Sequence, residues 1–191
     1  LVGPQPAAVS AVAAVLRGQF VLTLPRSWVE AAEIDGASKL IFRTEAGRRI
    51  ETVILRPNSG RSTVCVSSQV GCAAACRFCA TGTMGLVAQL SRDEILDQVV
   101  QARRIVAAEG RELRNVVFMW MCEPLHNVDA VSAALEGLTA PLGLNFSPAK
   151  VLVSTVGVPD AMRKMLARFP KFNLALSLHA ARPEVRAQIV P

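Results

Sequence analysis

The sequence predicts an α/β fold built on a parallel sheet, because strand-like and helical segments alternate after residue 60. The strand-like runs are short, apolar and rich in β-branched residues, whereas the helical segments are longer. Predicted strands cover 63–68, 115–121, 151–155 and 173–179, and the helices that follow them cover 91–109, 128–138, 159–169 and 184–190. Strands and helices that alternate in this way form βαβ units with parallel strands and right-handed crossovers.

The first 60 residues predict a smaller region in which strands and helices do not alternate. Its elements are a helix at 6–17, a helix from an N-cap at Ser27 to Glu33, and a β-hairpin at 39–56 with Glu45-Ala-Gly at its turn. The run Pro57-Asn-Ser-Gly-Arg predicts a turn that closes this piece. We therefore expect a helix and hairpin region at 1–60 and a larger core at 61–191.

Composition and charge narrow the class of protein. Of the 191 residues, 51% are hydrophobic, which is enough for a buried core. No stretch approaches the roughly 18 uncharged apolar residues of a membrane span, and the N-terminal residues lack the regions of a signal peptide. Five cysteines, three of them clustered, favour a reducing compartment, so we expect a cytoplasmic protein without a membrane partner. The net charge of +6 permits a nucleic-acid partner without establishing one.

The most informative motif is the C-x3-C-x2-C run of Cys72, Cys76 and Cys79. Three thiolates this close in a loop can converge on one inorganic cluster, and they cannot form a complete set of disulfide pairs. A cube of four irons and four sulfides takes four ligands, so three cysteines leave one iron open to a small molecule. A zinc site or a set of buried thiols is the alternative, although structural zinc would need a fourth ligand.

The other polar motifs also follow predicted strands. They are Cys122-Glu123-Pro124 after the second strand of the core, Ser154-Thr155 in the third, and Ser177-Leu178-His179 at the end of the fourth. The carboxyl ends of parallel strands meet at one edge of a sheet, where α/β proteins build their sites. We therefore expect these residues to lie near the three cysteines.

Five short sequence motifs together resemble those of the RlmN/Cfr group of radical S-adenosylmethionine (SAM) RNA methyltransferases, and those of RlmN more than those of Cfr. They are Cys65-Val-Ser-Ser-Gln-Val-Gly-Cys72, Phe78-Cys-Ala-Thr-Gly82, Glu123-Pro-Leu-His-Asn127, Ser154-Thr-Val-Gly157 and Ser177-Leu-His-Ala180. The resemblance covers about residues 35–191. It implies a partial (β/α)6 barrel, a 4Fe–4S cluster with SAM, an electron donor such as flavodoxin, and methylation of adenine C2 in 23S rRNA and tRNA. Cfr-type C8 methylation and other radical SAM chemistry remain alternatives.

The resemblance also implies roles around the cofactors. Cys72, Cys76 and Cys79 would ligate the cluster, and Glu123 would hold the amino group of SAM. The carboxylate and ribose of SAM would contact Ser154, Ser177, Leu178 and His179. The alternatives are a solvated loop carboxylate for Glu123 and ordinary strand-end packing for the others.

Two further residues match catalytic positions of the family. Cys65 matches a redox-active thiol that pairs with a second cysteine near the C-terminus, where the methyl group passes through that cysteine to the adenine. Glu51 matches the family's proton acceptor. The alternatives are a small core residue for Cys65 and a solvent-facing strand carboxylate for Glu51.

The chain departs from the family pattern in two ways. The family motif Gly-Met-Gly-Glu-Pro reads Trp120-Met121-Cys122-Glu123-Pro124 here, so side chains stand at SAM-binding positions that are usually glycine, and we expect weaker SAM binding. Family members also continue for two more strand–helix units, to the methyl-carrying cysteine. We therefore expect a fragment, an incomplete reading frame or a degenerate paralogue, and a non-catalytic iron–sulfur or RNA-binding protein is the competing function.

Overall fold

The structure, a computed structural model, describes residues 29–34 and 36–191, with side chains from residue 36 onwards. Nine strands and four α-helices lie in this part of the chain. They are β1 Val29–Ile34, β2 Ala37–Arg43, β3 Arg49–Leu55, β4 Arg61–Ser67, β5 Gln69–Gly71, β6 Leu86–Gln89, α1 Arg92–Ala108, β7 Glu112–Trp120, α2 Val128–Thr139, β8 Val151–Thr155, α3 Pro159–Arg168, β9 Asn173–Leu176 and α4 Pro183–Ile189. The helix predicted at 6–17 falls outside the described residues.

Seven strands form one mixed sheet in the order β1-β2-β3-β4-β7-β8-β9. The four strands of the core, β4, β7, β8 and β9, pair in parallel, which confirms the predicted α/β class. The predicted hairpin is also confirmed as β2 and β3, and β3 pairs with β4, so the hairpin extends the sheet. The division of the chain near residue 60 stays a prediction. None of the described helices is long and apolar enough to cross a membrane.

Two predicted elements differ from the structure. The helix expected from Ser27 to Glu33 is wrong, because residues 29–34 form strand β1 and pair antiparallel with β2. Local helix propensity is a weak signal there, and β2 offers a row of backbone donors and acceptors that a strand can satisfy. The strand expected to reach His179 ends at Leu176, and His179 has a φ of 62°, outside the strand region.

Helices α1 and α2 cover one face of the sheet. Alternate strand residues, among them Ile54, Val64, Phe118 and Val153, are buried in the main core on this face. The Thr52 hydroxyl in β3 donates a hydrogen bond to Gln98 Oε1 at 2.7 Å, which joins the sheet to α1. The intervening residues point to the opposite face, which carries Lys39, Glu51, Thr63, Cys65 and Asn115.

Helix α1 begins at the predicted capping box. Ser91 Oγ accepts from the Glu94 N–H at 3.2 Å, and Glu94 Oε2 accepts from the Ser91 N–H at 2.9 Å. The other oxygen of Glu94 accepts from the Glu45 N–H at 3.2 Å, in the turn of the β2–β3 hairpin. The cap therefore also fixes the hairpin turn next to α1.

Candidate functional site

A cavity of about 240 Å³ opens at the edge where β4, β7, β8 and β9 end. We call it the cysteine cavity; the predicted site residues that line it are Cys72, Cys76, Cys79, Cys122, Glu123, Ser154, Ser177 and His179. Thr155, expected near the cysteines as part of the Ser154-Thr155 motif, also lines it, together with residues to which the sequence analysis gave no role in the site: Ala74, Phe78, Thr81, Gly82, Met119, Met121 and Val156. The expected convergence of the strand-end motifs is therefore found in the structure.

The cysteine loop lies between β5 and β6, which pair with each other. Gly71 begins the loop with a φ of +76°, and a Cβ on it would lie 1.9 Å from Gly85 O. The Cys72 N–H donates to the same Gly85 oxygen at 3.0 Å, so the two ends of the loop are held together. Gly82 is also required, because a Cβ there would lie 2.7 Å from Cys76 O. Glycine at these two places allows the compact loop.

The three loop thiols are free and face a common space. Cys72 and Cys76 are buried, while Cys79 is half-buried. Burial raises the pKa of Cys72 and Cys76, and the negative charges of Glu123 and of the neighbouring thiolates raise it further. A cation at this point would relieve that repulsion.

The chemistry of the three thiols is that of cluster ligands. Iron–sulfur clusters are held by cysteine thiolates, and Cys72, Cys76 and Cys79 line one cavity. The donor set therefore fits an iron–sulfur cluster with one position left for a further ligand.

Glu123 holds the ends of two strands together. Its side chain is 2% exposed, so the solvated-loop alternative does not describe it. Oε1 accepts from the Leu125 N–H at 2.9 Å and from the Thr155 hydroxyl at 2.8 Å, and Oε2 accepts from the Val156 N–H at 2.8 Å. A carboxylate has about four acceptor positions, so one remains toward the cavity.

Gln69 fixes the backbone of Glu123 from the other side. Its Oε1 accepts from the Glu123 N–H at 2.8 Å, and its Nε2 donates to Gln89 Oε1 at 2.9 Å. The fully buried amide thus joins the β5–β6 pair to the end of β7. Gln69 lies between Cys65 and Cys72 in the sequence, but nothing in its spacing indicates these partners.

The ends of β8 and β9 meet above the cavity. Ser154 Oγ lies 3.2 Å from Ser177 Oγ, and the ring of His179 packs on that of Phe78 with centroids 4.3 Å apart. Leu178 does not line the cavity; its side chain is exposed, and its carbonyl accepts from Arg186 Nε at 3.2 Å. The two rings, whose planes are inclined by 45°, connect the end of β9 to the cysteine loop.

The two departures from the family motif behave differently. Cys122 lines the cavity, and burial raises the pKa of its thiol to about 12, against a smaller opposing effect of Ser68. Trp120 does not line the cavity, because its indole turns toward β3. Of the two residues that replace family glycines, Cys122 lines the cavity and Trp120 does not.

The two candidate catalytic residues outside the motifs do not line the cavity. Cys65 is buried in the middle of β4, and burial raises the pKa of its thiol to about 11. Glu51, in β3, has its side chain 31% exposed, and its carboxylate accepts from Lys39 and Trp120. Both residues are on the sheet face that α1 and α2 leave open.

Helix α4 supports the cysteine loop from below. The Arg77 N–H donates to Ile189 O at 2.9 Å, and Val190 packs in a buried cluster with Cys72, Ala74 and Cys76. Arg186 donates to the carbonyl of Val156, which ties α4 to the end of β8. These contacts join distant parts of the chain, and no local sequence pattern indicates them.

Comparisons with known proteins agree with this architecture. A probable RNA methyltransferase of Rhodopirellula baltica is 59% identical over 160 residues, 84% of this chain and 42% of that protein. The dual-specificity RNA methyltransferase RlmN of Syntrophobacter fumaroxidans is 46% identical over 157 residues, 82% of this chain and 45% of that protein. The crystal structure of a radical SAM methyltransferase from Sphaerobacter thermophilus superposes with a TM-score of 0.84 at 38% identity, covering 100% of this chain and 54% of that one.

No protein-family model matches the chain. The chain spans about half the length of the curated relatives that it matches. The similarity nevertheless extends through the part of the chain that holds the cysteine cavity, since a relative named as a probable RlmN, from Christiangramia forsetii, is 41% identical over 93% of this chain. The chain is therefore related, in sequence and in fold, to the RlmN-type radical SAM RNA methyltransferases and corresponds to about half of their length.

Proposed function

We propose that the protein containing this chain is a radical SAM methyltransferase that methylates C2 of adenine in 23S rRNA and tRNA. The observation that supports the proposal most directly is the cysteine cavity. Three free thiols share it with Glu123, Ser154 and Ser177, at the carboxyl edge of a parallel sheet. A site that combines cluster ligands with buried polar groups suits a cofactor that must be both ligated and oriented.

Under this proposal, Cys72, Cys76 and Cys79 hold a 4Fe–4S cluster, which supplies one electron to SAM when both are bound. Glu123 offers its remaining acceptor position to the amino group of SAM. Its three hydrogen bonds to the protein keep that position fixed, because the carboxylate cannot rotate without losing them. A fixed acceptor orients the amino acid portion of SAM at little entropic cost.

The ends of β8 and β9 would bind the rest of SAM. Ser154 and Ser177 hydroxyls lie at the cavity wall and can donate to a carboxylate or to ribose oxygens. His179 would close this wall, with its ring held against Phe78. Leu178 does not line the cavity, and its proposed contribution is to hold the turn between Ser177 and His179, where its carbonyl accepts from Arg186 Nε.

Glu51 and Cys65 keep their proposed roles as proton acceptor and redox-active thiol. Both lie on the open face of the sheet, beside the carboxyl edge. The high pKa of Cys65 means that the thiol is protonated at neutral pH in this structure. Thiolate exchange at Cys65 would therefore require a base or a change in its surroundings.

RNA as the substrate is supported by the turn of the β2–β3 hairpin. Because β3 runs antiparallel to β4, this turn lies at the same edge as the cysteine cavity. Arg43, Arg48 and Arg49 flank the turn, are exposed, and make no ion pair within the described residues. Unpaired arginines beside the cavity suit RNA phosphates.

Reversing the charge of Arg48 and Arg49 together should weaken RNA binding and lower its salt dependence. Each lost phosphate contact on single-stranded RNA should reduce the slope of log K against log salt by roughly 0.7. Filter binding of an adenine-containing RNA across several salt concentrations measures both effects. Arg163→Glu with Arg168→Glu, on the exposed face of α3, changes the net charge equally and should leave the slope nearly unchanged. Equal losses in both double variants would mean that only net charge matters.

Replacing Cys122 by glycine should tighten SAM binding several-fold, because it removes a side chain from the cavity wall beside Glu123. Calorimetric titration of SAM into anaerobically reconstituted protein measures the change. Trp120→Gly is the matched control, since Trp120 does not line the cavity and its removal should leave SAM affinity unchanged. The expectation fails if both glycine variants bind SAM as the parent does, or if Trp120→Gly gives the larger gain.

The proposed function is tested by anaerobic reconstitution of the cluster, followed by SAM and a reductant. Flavodoxin is the proposed electron donor, and the cytoplasm is the proposed location. Formation of 5′-deoxyadenosine would support a working radical site, and mass spectrometry of the RNA would distinguish methylation at C2 from methylation at C8. An intact cluster that yields no 5′-deoxyadenosine would favour a non-catalytic iron–sulfur or RNA-binding protein.

A further inference from the structure

Trp120 and Glu51 meet although a whole strand lies between them. Trp120 ends β7 and Glu51 lies in β3, while β4 separates the two strands in the sheet. The Trp120 indole Nε1–H donates to Glu51 Oε2 at 3.0 Å. Since neighbouring strands are about 4.8 Å apart, the contact bridges roughly 10 Å of sheet. That reach requires a long side chain with a donor at its far end, which tryptophan provides.

Strand β4, which lies between β3 and β7, has a small residue where the Trp120 side chain passes over it. Ser67 of β4 is the register partner of Trp120 and is fully buried. Its hydroxyl donates to the backbone oxygen of Glu51 at 2.5 Å. A small residue at this position leaves room for the indole and also fixes the main chain from which the Glu51 carboxylate extends.

Both oxygens of the Glu51 carboxylate are held. Lys39 Nζ lies 3.2 Å from Oε1, and the indole of Trp120 donates to Oε2. Because each carboxylate oxygen accepts about two hydrogen bonds, one acceptor position remains on each. The carboxylate is thus fixed in orientation but is still able to accept a proton.

Stability alone does not account for this arrangement. Trp120 remains 37% exposed, and the Glu51 side chain is 31% exposed. Exposed hydrogen bonds and ion pairs contribute about 1 kcal/mol or less each. Met119 and Met121, which flank Trp120 in the sequence, line the cysteine cavity. Glu51 does not line it, but it lies near the start of β3, at the edge of the sheet where the cavity opens.

We propose that Trp120 is a positioning residue, which holds the Glu51 carboxylate near the edge of the sheet where the cysteine cavity opens and leaves its open acceptor positions for the RNA base. The proposal rests on the proposed function, in which Glu51 accepts a proton during methyl transfer. The proposal assigns a role to the tryptophan that stands where the family has glycine. Trp120 turns away from the cavity and orients an acidic side chain two strands away.

The hydrogen bond itself can be tested without any activity. In the ¹H–¹⁵N spectrum of the protein, the indole N–H signal of Trp120 is identified as the one that disappears in the Trp120→Phe variant. A donor to a carboxylate resonates downfield, so Glu51→Gln should move the signal upfield. Asp129→Asn, an exposed carboxylate on α2, is the control and should leave it in place. An indole signal that ignores Glu51→Gln overturns the proposal.

The positioning role is tested by the yield of methylated adenine per 5′-deoxyadenosine formed. Trp120→Phe keeps an aromatic ring but removes the donor, and we expect about a tenfold lower yield, within the range that misplacement of a reacting group costs. Formation of 5′-deoxyadenosine should continue, since Trp120 does not line the cavity. Trp120→Arg, which keeps N–H donors at a similar reach, should restore most of the yield.

The double variant Trp120→Phe with Glu51→Gln should be no worse than Glu51→Gln alone, because the two residues act as one unit. Additive losses, or a Trp120→Phe variant with the parent yield, would overturn the positioning role. A parent protein that forms no methylated adenine contradicts the proposed function instead, and the indole signal then still decides whether Trp120 holds Glu51.

Discussion

Replacing Gly71 by alanine is expected to disrupt the cysteine loop and to abolish cluster loading. Gly71 has a φ of +76°, and a Cβ there would lie 1.9 Å from Gly85 O. The left-handed backbone costs an alanine about 1–2 kcal/mol. The clash adds more, because Gly85 O is a backbone atom already bonded to the Cys72 N–H. We expect Gly71→Ala to lower the free energy of unfolding by about 3 kcal/mol or more, which is a severe effect for one substitution.

Iron and sulfide content after anaerobic reconstitution, together with the urea midpoint, measures the effect of Gly71→Ala. Gly47→Ala is the matched control: Gly47 has a φ of +75°, but a Cβ on it would meet nothing within 4 Å. Gly47→Ala should lower the free energy of unfolding only by the cost of the left-handed backbone, and it should load iron as the parent does. If Gly71→Ala loads as much iron as Gly47→Ala does, the close approach to Gly85 does not shape the loop.

Removing the Glu123 carboxylate should lower the free energy of unfolding by a similar amount, because this side chain holds the carboxyl edge of the sheet together. Glu123→Ala leaves the Leu125 N–H, the Thr155 hydroxyl and the Val156 N–H without their acceptor in a buried place. Each buried donor that is left without an acceptor costs about 1–3 kcal/mol. Glu123→Gln should recover only part of this, because its amide NH₂ would face one or more of those donors. Urea unfolding at neutral pH measures both variants.

Glu136→Gln provides the control for Glu123→Gln. Glu136 makes an exposed ion pair with Arg168 at 2.6 Å, so its neutralisation should change the free energy of unfolding by about 0.5 kcal/mol or less. Thr155→Val combined with Glu123→Gln should be less harmful than the sum of the two, since they share one hydrogen bond. Full additivity would show that Thr155 and Glu123 act independently.

The fold could be predicted from the sequence wherever local pattern and tertiary pairing agree. Strands β4, β7 and β8 are apolar and rich in β-branched residues, and the capping box at Ser91 fixes the start of α1. Strand β1 was missed because its extended form depends on pairing with β2, a contact that its own sequence does not encode. The end of β9 was placed too late because nothing local indicates the turn of the backbone at His179.

The candidate site shows the same division. The cysteine spacing and the strand-end motifs placed eight residues around one cavity, because parallel strands bring their carboxyl ends together. The supports of that site were not predictable: Gln69 holds Glu123, and Arg186 holds the end of β8. The direction of the Trp120 side chain was likewise set by a partner two strands away. Long-range contacts of this kind leave no periodic trace in the sequence.

The support that α4 gives to the cysteine loop has a consequence for how the cluster is loaded during synthesis. The loop at 71–79 leaves the ribosome long before Ile189 and Val190, which bond and cover it in the finished fold. Since a domain generally folds as a unit, the loop gains this cover only after α4 has also been synthesised. The proposed cluster would therefore meet the loop most freely before α4 is in place, and in the finished fold its iron would enter through the cavity, where Cys79 is still partly exposed.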